Sequence, residues 1–311
     1  MTERQRRILH LLVDSYIATQ TPVASSILAQ QLSLSPATTR YELIELEDAG
    51  LVTKPHTSAG RIPTRQGFRH YALSKLPPTP FPQATLDRLA QALSGAGGRR
   101  EELVVQVASR LSGYPAMLRL KPRHAPKLLQ VHLSQLAPGK VLAVGVMEGG
   151  RVREVRLELS FSPSDAQLNE AEGRLHGPLE ALSPQEAPSL ALRELFEAVR
   201  RAFAQGSLEE YREGVGLLLS EPEAQNLSFL RQALSLFESP GDETLTPPGG
   251  LNVRVGEGEG LSLVQAGVAM SDTIGELSLL GPVRMRYGQA LSVAYALGQV
   301  YMGQQASQAS R

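Results

Sequence analysis

The sequence has no cysteine and no tryptophan, and only 5% of its 311 residues are aromatic. Without thiols there is no disulfide framework, no thiolate-bound zinc and no cysteine nucleophile. Nothing points to an oxidising compartment, and a cytoplasmic protein is expected. Neither charge sign is in excess, since 31 Lys and Arg balance 31 Asp and Glu. No apolar run approaches the ~18 to 20 residues that cross a bilayer, so no membrane span is expected. After Arg4, Arg6 and Arg7, the short run Ile8 to Val13 contains His10 and stops at Asp14, so a secretory signal is not expected either. What is present is a hydrophobic fraction of 42%, enough at this length for the cores of two or three domains.

The zero balance conceals a modest local excess. Residues 1–76 carry nine basic residues (Arg4, Arg6, Arg7, Arg40, Lys54, Arg61, Arg65, Arg69, Lys75) against six acidic ones (Glu3, Asp14, Glu42, Glu45, Glu47, Asp48). Pro77, Pro78, Pro80 and Pro82 then make 77–83 an extended linker between folded units. Beyond it, a helical block at Ala84 to Gly113 is broken by Gly95 to Gly98. Strand-length runs follow at Leu128 to Leu133, Val141 to Met147 and Val152 to Leu159, the last two joined as a hairpin at Glu148, Gly149 and Gly150. Helical patterns occupy Pro163 to Leu182, Ala187 to Ala204 and Leu227 to Phe237. Strands return at Leu251 to Val255, Leu261 to Met270 and Ile274 to Leu280, before a last helix from about Pro282 to Tyr301.

Strands that stop, give way to helices and resume predict an α+β multidomain chain, with one sheet domain (84–183 and 249–311) interrupted by a mostly helical subdomain (184–248). Pro184, Pro188 and the stretch Ser239 to Gly250 mark its seams.

The first domain, 1–76, has the punctuation of a winged helix-turn-helix. Thr2 with Gln5 forms a capping box, and a helix from there to about Thr19 presents Ile8, Leu11, Leu12, Ser15 and Tyr16 on one face. Thr21-Pro22 and Ser35-Pro36 each pair an N-cap residue with proline at the first helical position. A second helix from Pro22 to Gln31 and a third from Pro36 to Ala49 are separated by a tight turn, and Gly50 supplies the left-handed stop. Thr39, Leu43 and Leu46 point to the core; Ala37, Arg40, Tyr41, Ile44 and Asp48 do not. Thr38, Arg40 and Tyr41 are candidates to meet bases and phosphates, whereas Glu45, Glu47 and Asp48 would repel the duplex, so only the first two turns approach it. Leu51 to His56 and Arg61 to Thr64 read as two extended pieces around the small tip Thr57, Ser58, Ala59, Gly60. Ser35 and the tip from Thr57 to Arg61 would hold the backbone, with His56, Arg61 and Arg65 as flanking donors. A unit of this size can also dock protein, and that alternative stays open.

Ser35-Pro-Ala-Thr-Thr-Arg-Tyr-Glu-Leu43, Leu46-Glu-Asp-Ala-Gly-Leu51, Pro55-His-Thr-Ser-Ala-Gly-Arg-Ile-Pro-Thr64 and Gly67-Phe-Arg-His-Tyr71 resemble the heat-inducible transcription repressor HrcA family. The likeness continues through Leu218-Leu-Leu-Ser-Glu-Pro-Glu223, Val253-Arg-Val-Gly-Glu257 and Gly281-Pro-Val-Arg-Met-Arg-Tyr287. The resemblance implies a homodimeric repressor on double-stranded DNA, at an inverted-repeat operator called CIRCE ahead of chaperone operons. It implies a winged helix, a GAF-like domain and an inserted dimerisation subdomain. It also implies a GroEL-type chaperonin as the partner that maintains the repressing form, with relief when misfolded proteins occupy that chaperonin. The family usually has Ile and Asn where this chain has Thr39 and Tyr41, and Tyr41 lacks the two-pronged amide contact to adenine that Asn makes.

Other patterns are weaker. Gly256, Gly258 and Gly260 alternate with Glu257 and Glu259, whose charge would repel phosphate, so a tight turn is expected there. No pair among His10, His56, His70, His124, His132 and His176 has the helical spacing and carboxylate of a metal site, and no nucleophile elbow occurs. Neither metal, cofactor nor enzymatic activity is expected. Arg284 and Arg286 would cap the last helix and face solvent or a partner, and Leu227 to Phe237 would help subunits pair. The rival to chaperonin-linked repression is a metabolite-gated winged-helix repressor that senses its ligand through the GAF-like domain.

Overall fold

The computed structural model describes the whole chain except residues 57–59, 124–126, 148–151, 179–186, 205–207, 239–243, 271–272 and 304–311. Two compact units result: Met1–Arg119 with Glu210–Arg311, and Leu120–Glu209, which interrupts the first in sequence.

The first unit opens with α1 (Glu3–Thr19), α2 (Ser25–Leu32) and α3 (Pro36–Asp48). The capping box forms as expected, with Thr2 Oγ1 accepting from the Gln5 amide and Gln5 Oε1 from the Thr2 amide. The buried face of α1 is turned from the expected one: Ile8, Leu9, Leu12 and Val13 are buried, and Leu11 and Ser15 are only partly so. The Thr21-Pro22 signal is not used. Val23 pairs with Arg61 through both amides, at 2.8 and 2.9 Å, and this tertiary bridge delays α2 to Ser25, whose cap Ala24 offers no side-chain acceptor. Gly60 permits the approach, because a Cβ there would lie 2.4 Å from the Val23 oxygen.

β1 (Val52–Thr53) and β2 (Ile62–Pro63) pair antiparallel. The hairpin is followed by α4 (Arg65–Leu73), a helix the sequence pattern did not predict, although Thr64 caps it by accepting from the Gly67 amide. Phe68 and Tyr71 of α4 are buried, and the Tyr71 hydroxyl donates to Asp14 of α1. His10, edge-on to Tyr71 at 5.5 Å, is held below its ordinary pKa by burial first and then by Lys75. The sign follows: this contribution to stability is complete above the unfolded value of about 6.5 and is lost as pH falls through the folded one. A His10→Phe variant is expected to lose that part of the acid sensitivity in thermal unfolding at stepped pH.

After the proline-rich stretch come α5 (Gln83–Gly95), α6 (Arg100–Ser112) and β3 (Ala116–Pro122). The inserted unit then holds β4 (Lys127–Ala137), β5 (Lys140–Met147), β6 (Val152–Glu158), α7 (Asp165–Arg174), β7 (Gly177–Pro178) and α8 (Leu190–Ala204). Its sheet runs β6-β5-β4-β7 with antiparallel neighbours. Leu192, Leu195, Phe196, Val199 and Phe203 of α8, spaced as one helical face, pack with Val131, Leu133, Val141, Ala143 and Leu157 of the sheet and Leu168 of α7.

The chain returns through β8 (Glu209–Glu213), α9 (Leu227–Glu238), β9 (Leu251–Glu257), β10 (Leu261–Ala269), β11 (Thr273–Pro282) and α10 (Tyr287–Gly303). Here the sheet order is β8-β3-β11-β10-β9. α10 packs along β10, where Gly298 comes close to Ala266 and Val268. Leu218, Phe229, Ala233 and Phe237 cluster with Met117, Leu261, Leu263 and Leu280.

The seams therefore differ from those the sequence pattern suggests. The interruption is Leu120–Glu209, not 184–248, and it carries its own four-stranded sheet instead of being mostly helical. The physical reason is local: β4, β5 and β6 pair with their sequence neighbours, and the apolar face of α8 is buried on them. α9, placed by pattern in the insert, belongs to the five-stranded body. Periodicity identifies a strand but not the strand it pairs with. The glutamate and two glycines expected to turn the β5–β6 hairpin lie outside the described residues.

Candidate nucleic-acid interface

α3 is held from three directions. At its start, Ser35 Oγ accepts from the Thr38 amide at 3.0 Å and shares a 2.7 Å hydrogen bond with the Thr38 hydroxyl, while Pro36 occupies the first helical position. On its inner face, Leu43 and Leu46 are buried, and buried Thr39 is satisfied by donating its hydroxyl to the Ser35 oxygen at 3.1 Å. Glu42, also buried, meets Arg4 of α1 at 3.2 Å. At its end, Ala49 caps the helix and Gly50 follows in the left-handed region at φ 71°.

Because the inner face is fixed, the outer face is fixed too. The Arg40 side chain is exposed and makes no hydrogen bond or ion pair among the described residues. Tyr41 is 62% exposed and Ile44 47%. Ser35 and Ala37 are also exposed, Thr38 partly so. Ser35, Thr38, Arg40 and Tyr41 are therefore brought together on the first turns of one rigid helix.

The remaining predicted residues are placed differently. The Arg61 side chain is only 13% exposed and meets Glu47 of α3 at 3.1 Å, with Lys54 at 3.8 Å from the same carboxylate. Arg61 therefore ties the hairpin to α3, and Glu47 is compensated within the protein; Glu45 and Asp48 stay exposed. Arg65 lies on another side of the block: its Nε donates to the Val255 oxygen of β9 at 3.0 Å, and Glu257 is 3.8 Å away. Gly256 sits at φ 68°, and a Cβ there would lie 2.6 Å from Arg65 Cγ, so glycine lets the arginine lie across the strand. His56 is exposed, and Thr57 and Ser58 lie outside the described residues. The pairs Glu47–Arg61 and Glu42–Arg4 were not identified from sequence, because a charge pair between distant segments leaves no local spacing to read. The Thr64 cap had such a signal, a threonine three residues before Gly67.

The N-terminal block is thus made of four helices and a hairpin, ahead of a mixed α/β body. Among the described residues no helix is long and apolar enough to cross a membrane.

Residues 102–291 match the family model for the HrcA protein C terminal domain. The chain is 31% identical to the heat-inducible transcription repressor HrcA of Moorella thermoacetica, covering 94% of each protein. It is likewise 31% identical to the repressor of that name from Synechococcus sp., covering 94% of this chain and 95% of the relative. A crystal structure of a hypothetical protein superposes with a TM-score of 0.53 at 20% identity over 98% of both chains, a likeness of fold. The chain belongs to the heat-inducible transcription repressor HrcA family.

Proposed function

We propose that this chain represses heat-shock genes by binding double-stranded DNA as a homodimer, at a CIRCE-type inverted repeat. The N-terminal block acts as a winged helix-turn-helix: α3 enters the major groove through its first two turns, and the hairpin serves as the wing. The observation that carries this reading is the outer face of α3, where Arg40 stands exposed on a helix whose inner face cannot turn. Ser35 and Thr38 hold phosphate or base edges, Arg40 forks onto guanine, and His56 with the wing tip holds the backbone. The five-stranded body serves as the GAF-like domain, with pairing surfaces that keep two readers matched to the operator dyad. A GroEL-type chaperonin maintains the binding-competent form, and its occupation by misfolded protein relieves repression.

Metabolite gating is the second reading. The side chains of α10, and of the cluster around Phe229, pack on the five-stranded sheet, which supports assembly over ligand sensing by that sheet.

The decisive experiment is titration of an inverted-repeat duplex at two salt concentrations, with and without chaperonin. Steep loss of affinity with salt is expected, from release of phosphate counterions; a protein-docking module would show no preference for the repeat. Arg40→Ala is expected to relax discrimination at one position per half-site by about 1–3 kcal/mol. Arg61→Ala is expected to leave base preference intact and loosen the hairpin, lowering stability by up to about 1 kcal/mol, since its partner is Glu47. If Arg61→Ala alone changed base preference, this division of roles would fail.

A further inference from the structure

The crest of α3 is apolar from Ala37 to Ile44, ahead of the exposed Asp48. At about 100° per residue, the direction opposite Thr39, Leu43 and Leu46 is occupied by Ala37, Tyr41, Ile44 and Asp48, with Arg40 on one flank and Thr38 on the other. Exposure agrees: Ala37 is exposed, Tyr41 is 62% exposed and Ile44 47%. Among the described residues of the block nothing covers these side chains, because α1 and α2 pack with α3, whose buried residues lie on the opposite face. A row of large apolar groups on the outermost line of a helix costs solvation unless it has an occupant. Along the first two turns the flanking charge is the Arg40 cation, while the exposed Glu45 and Asp48 stand further along the helix, so an anionic occupant fits beside Ala37 and Tyr41.

A duplex satisfies both demands at one place. Every base offers a polar edge in the major groove, and thymine adds the groove's apolar feature, its C5 methyl group. The Tyr41 ring has neither the paired donor and acceptor that fork onto adenine nor a charge for guanine. It has an apolar face and edge that suit a methyl group.

Resting on the DNA-reading role of α3, we propose that this chain reads thymine by its methyl group, with Tyr41 as the specificity-determining residue and Ala37 and Ile44 as walls of the same contact. Arg40 and Thr38 on the flanks then set register while the crest selects the base.

The test starts from duplexes that the full-length protein selects from a random-sequence pool. Each thymine of a half-site is then replaced singly by deoxyuridine, which removes one methyl and keeps every hydrogen-bonding group. At one thymine per half-site the substitution is expected to weaken binding about three- to fourfold, the worth of one buried methyl-sized group. Tyr41→Ala should bind the unmodified duplex correspondingly less well and lose the sensitivity at that position. Tyr41→Phe should keep it, since the ring and not the hydroxyl is used, and Tyr41→Asn should shift the selected base toward adenine. Equal affinity for every uracil-substituted duplex, or unchanged sensitivity in Tyr41→Ala, overturns the proposal while leaving α3 as a DNA reader. If no sequence is enriched, the DNA-binding reading itself falls and this inference with it.

Discussion

Replacing Glu276 by alanine is expected to destabilise the five-stranded body by about 3–5 kcal/mol, the cost of breaking a buried ion pair by removing one of its members. Glu276 of β11 and Arg119 of β3 are 1% and 2% exposed, and meet at 3.0 Å. The carboxylate is fully engaged. Gln265 and Ser278 donate to the oxygen that Arg119 contacts, at 2.7 and 3.0 Å, while the Thr246 amide and hydroxyl donate to the other at 2.8 and 2.6 Å. Burial by itself would raise the pKa of Glu276, but the Thr246 hydrogen bonds, together with Arg119, outweigh it and hold the carboxyl below the usual carboxylate range. The group therefore contributes its full stability above the unfolded value of about 4.3, and that contribution is lost as pH falls through the folded value. The checks are the urea midpoint of Glu276→Ala at neutral pH and the flattening of its acid limb. The double replacement Arg119→Met with Glu276→Leu should cost less than Glu276→Ala, because it removes both charges together. A midpoint unchanged in the single variant would show that the network adds no support.

Gly67→Ala is expected to damage the N-terminal block, at about 3 kcal/mol or more. A Cβ at this position would lie 2.0 Å from the Leu51 carbonyl oxygen, a backbone atom already fixed by accepting from the Thr64 amide at 3.0 Å. The neighbouring Thr64 hydroxyl donates to the Gly50 oxygen at 2.6 Å and accepts from the Gly67 amide, so neither the helix start nor the strand can yield alone. Alanine must push α4 off the hairpin. Duplex affinity should collapse with a partial loss of helix signal, while Glu276 and its partners keep the body folded. Retained affinity would mean that α4 is free to shift.

Local chemistry made the block legible. Capping by Thr2 and Ser35, the inward set Thr39, Leu43 and Leu46, and the exposed Tyr41 and Ile44 all follow from hydrogen-bond demand and helical period, and the structure shows each. Partner choice between distant segments was not legible. Val23 pairs with Arg61 instead of opening a helix after Thr21, Arg61 turns to Glu47 instead of outward, and the strands from Lys127 to Glu158 close on one another instead of joining Leu251–Glu257. In every such case the decision belongs to residues far apart in the chain, where pattern carries no distance information. The candidate site was read in the same proportion: the residues on α3 were found together, while Arg65 proved to belong to a seam with β9.

That seam makes the reading block a mounted part, not a pendant one. Despite the prolines that follow it, α4 is anchored to a strand 190 positions later, by an arginine whose path exists because residue 256 has no side chain. If α3 reads DNA as proposed, its position is thus tied to the C-terminal third of the molecule through Arg65. A change at Val255 or Gly256 of β9 would therefore reach α4, and through it the hairpin, from the far end of the sequence.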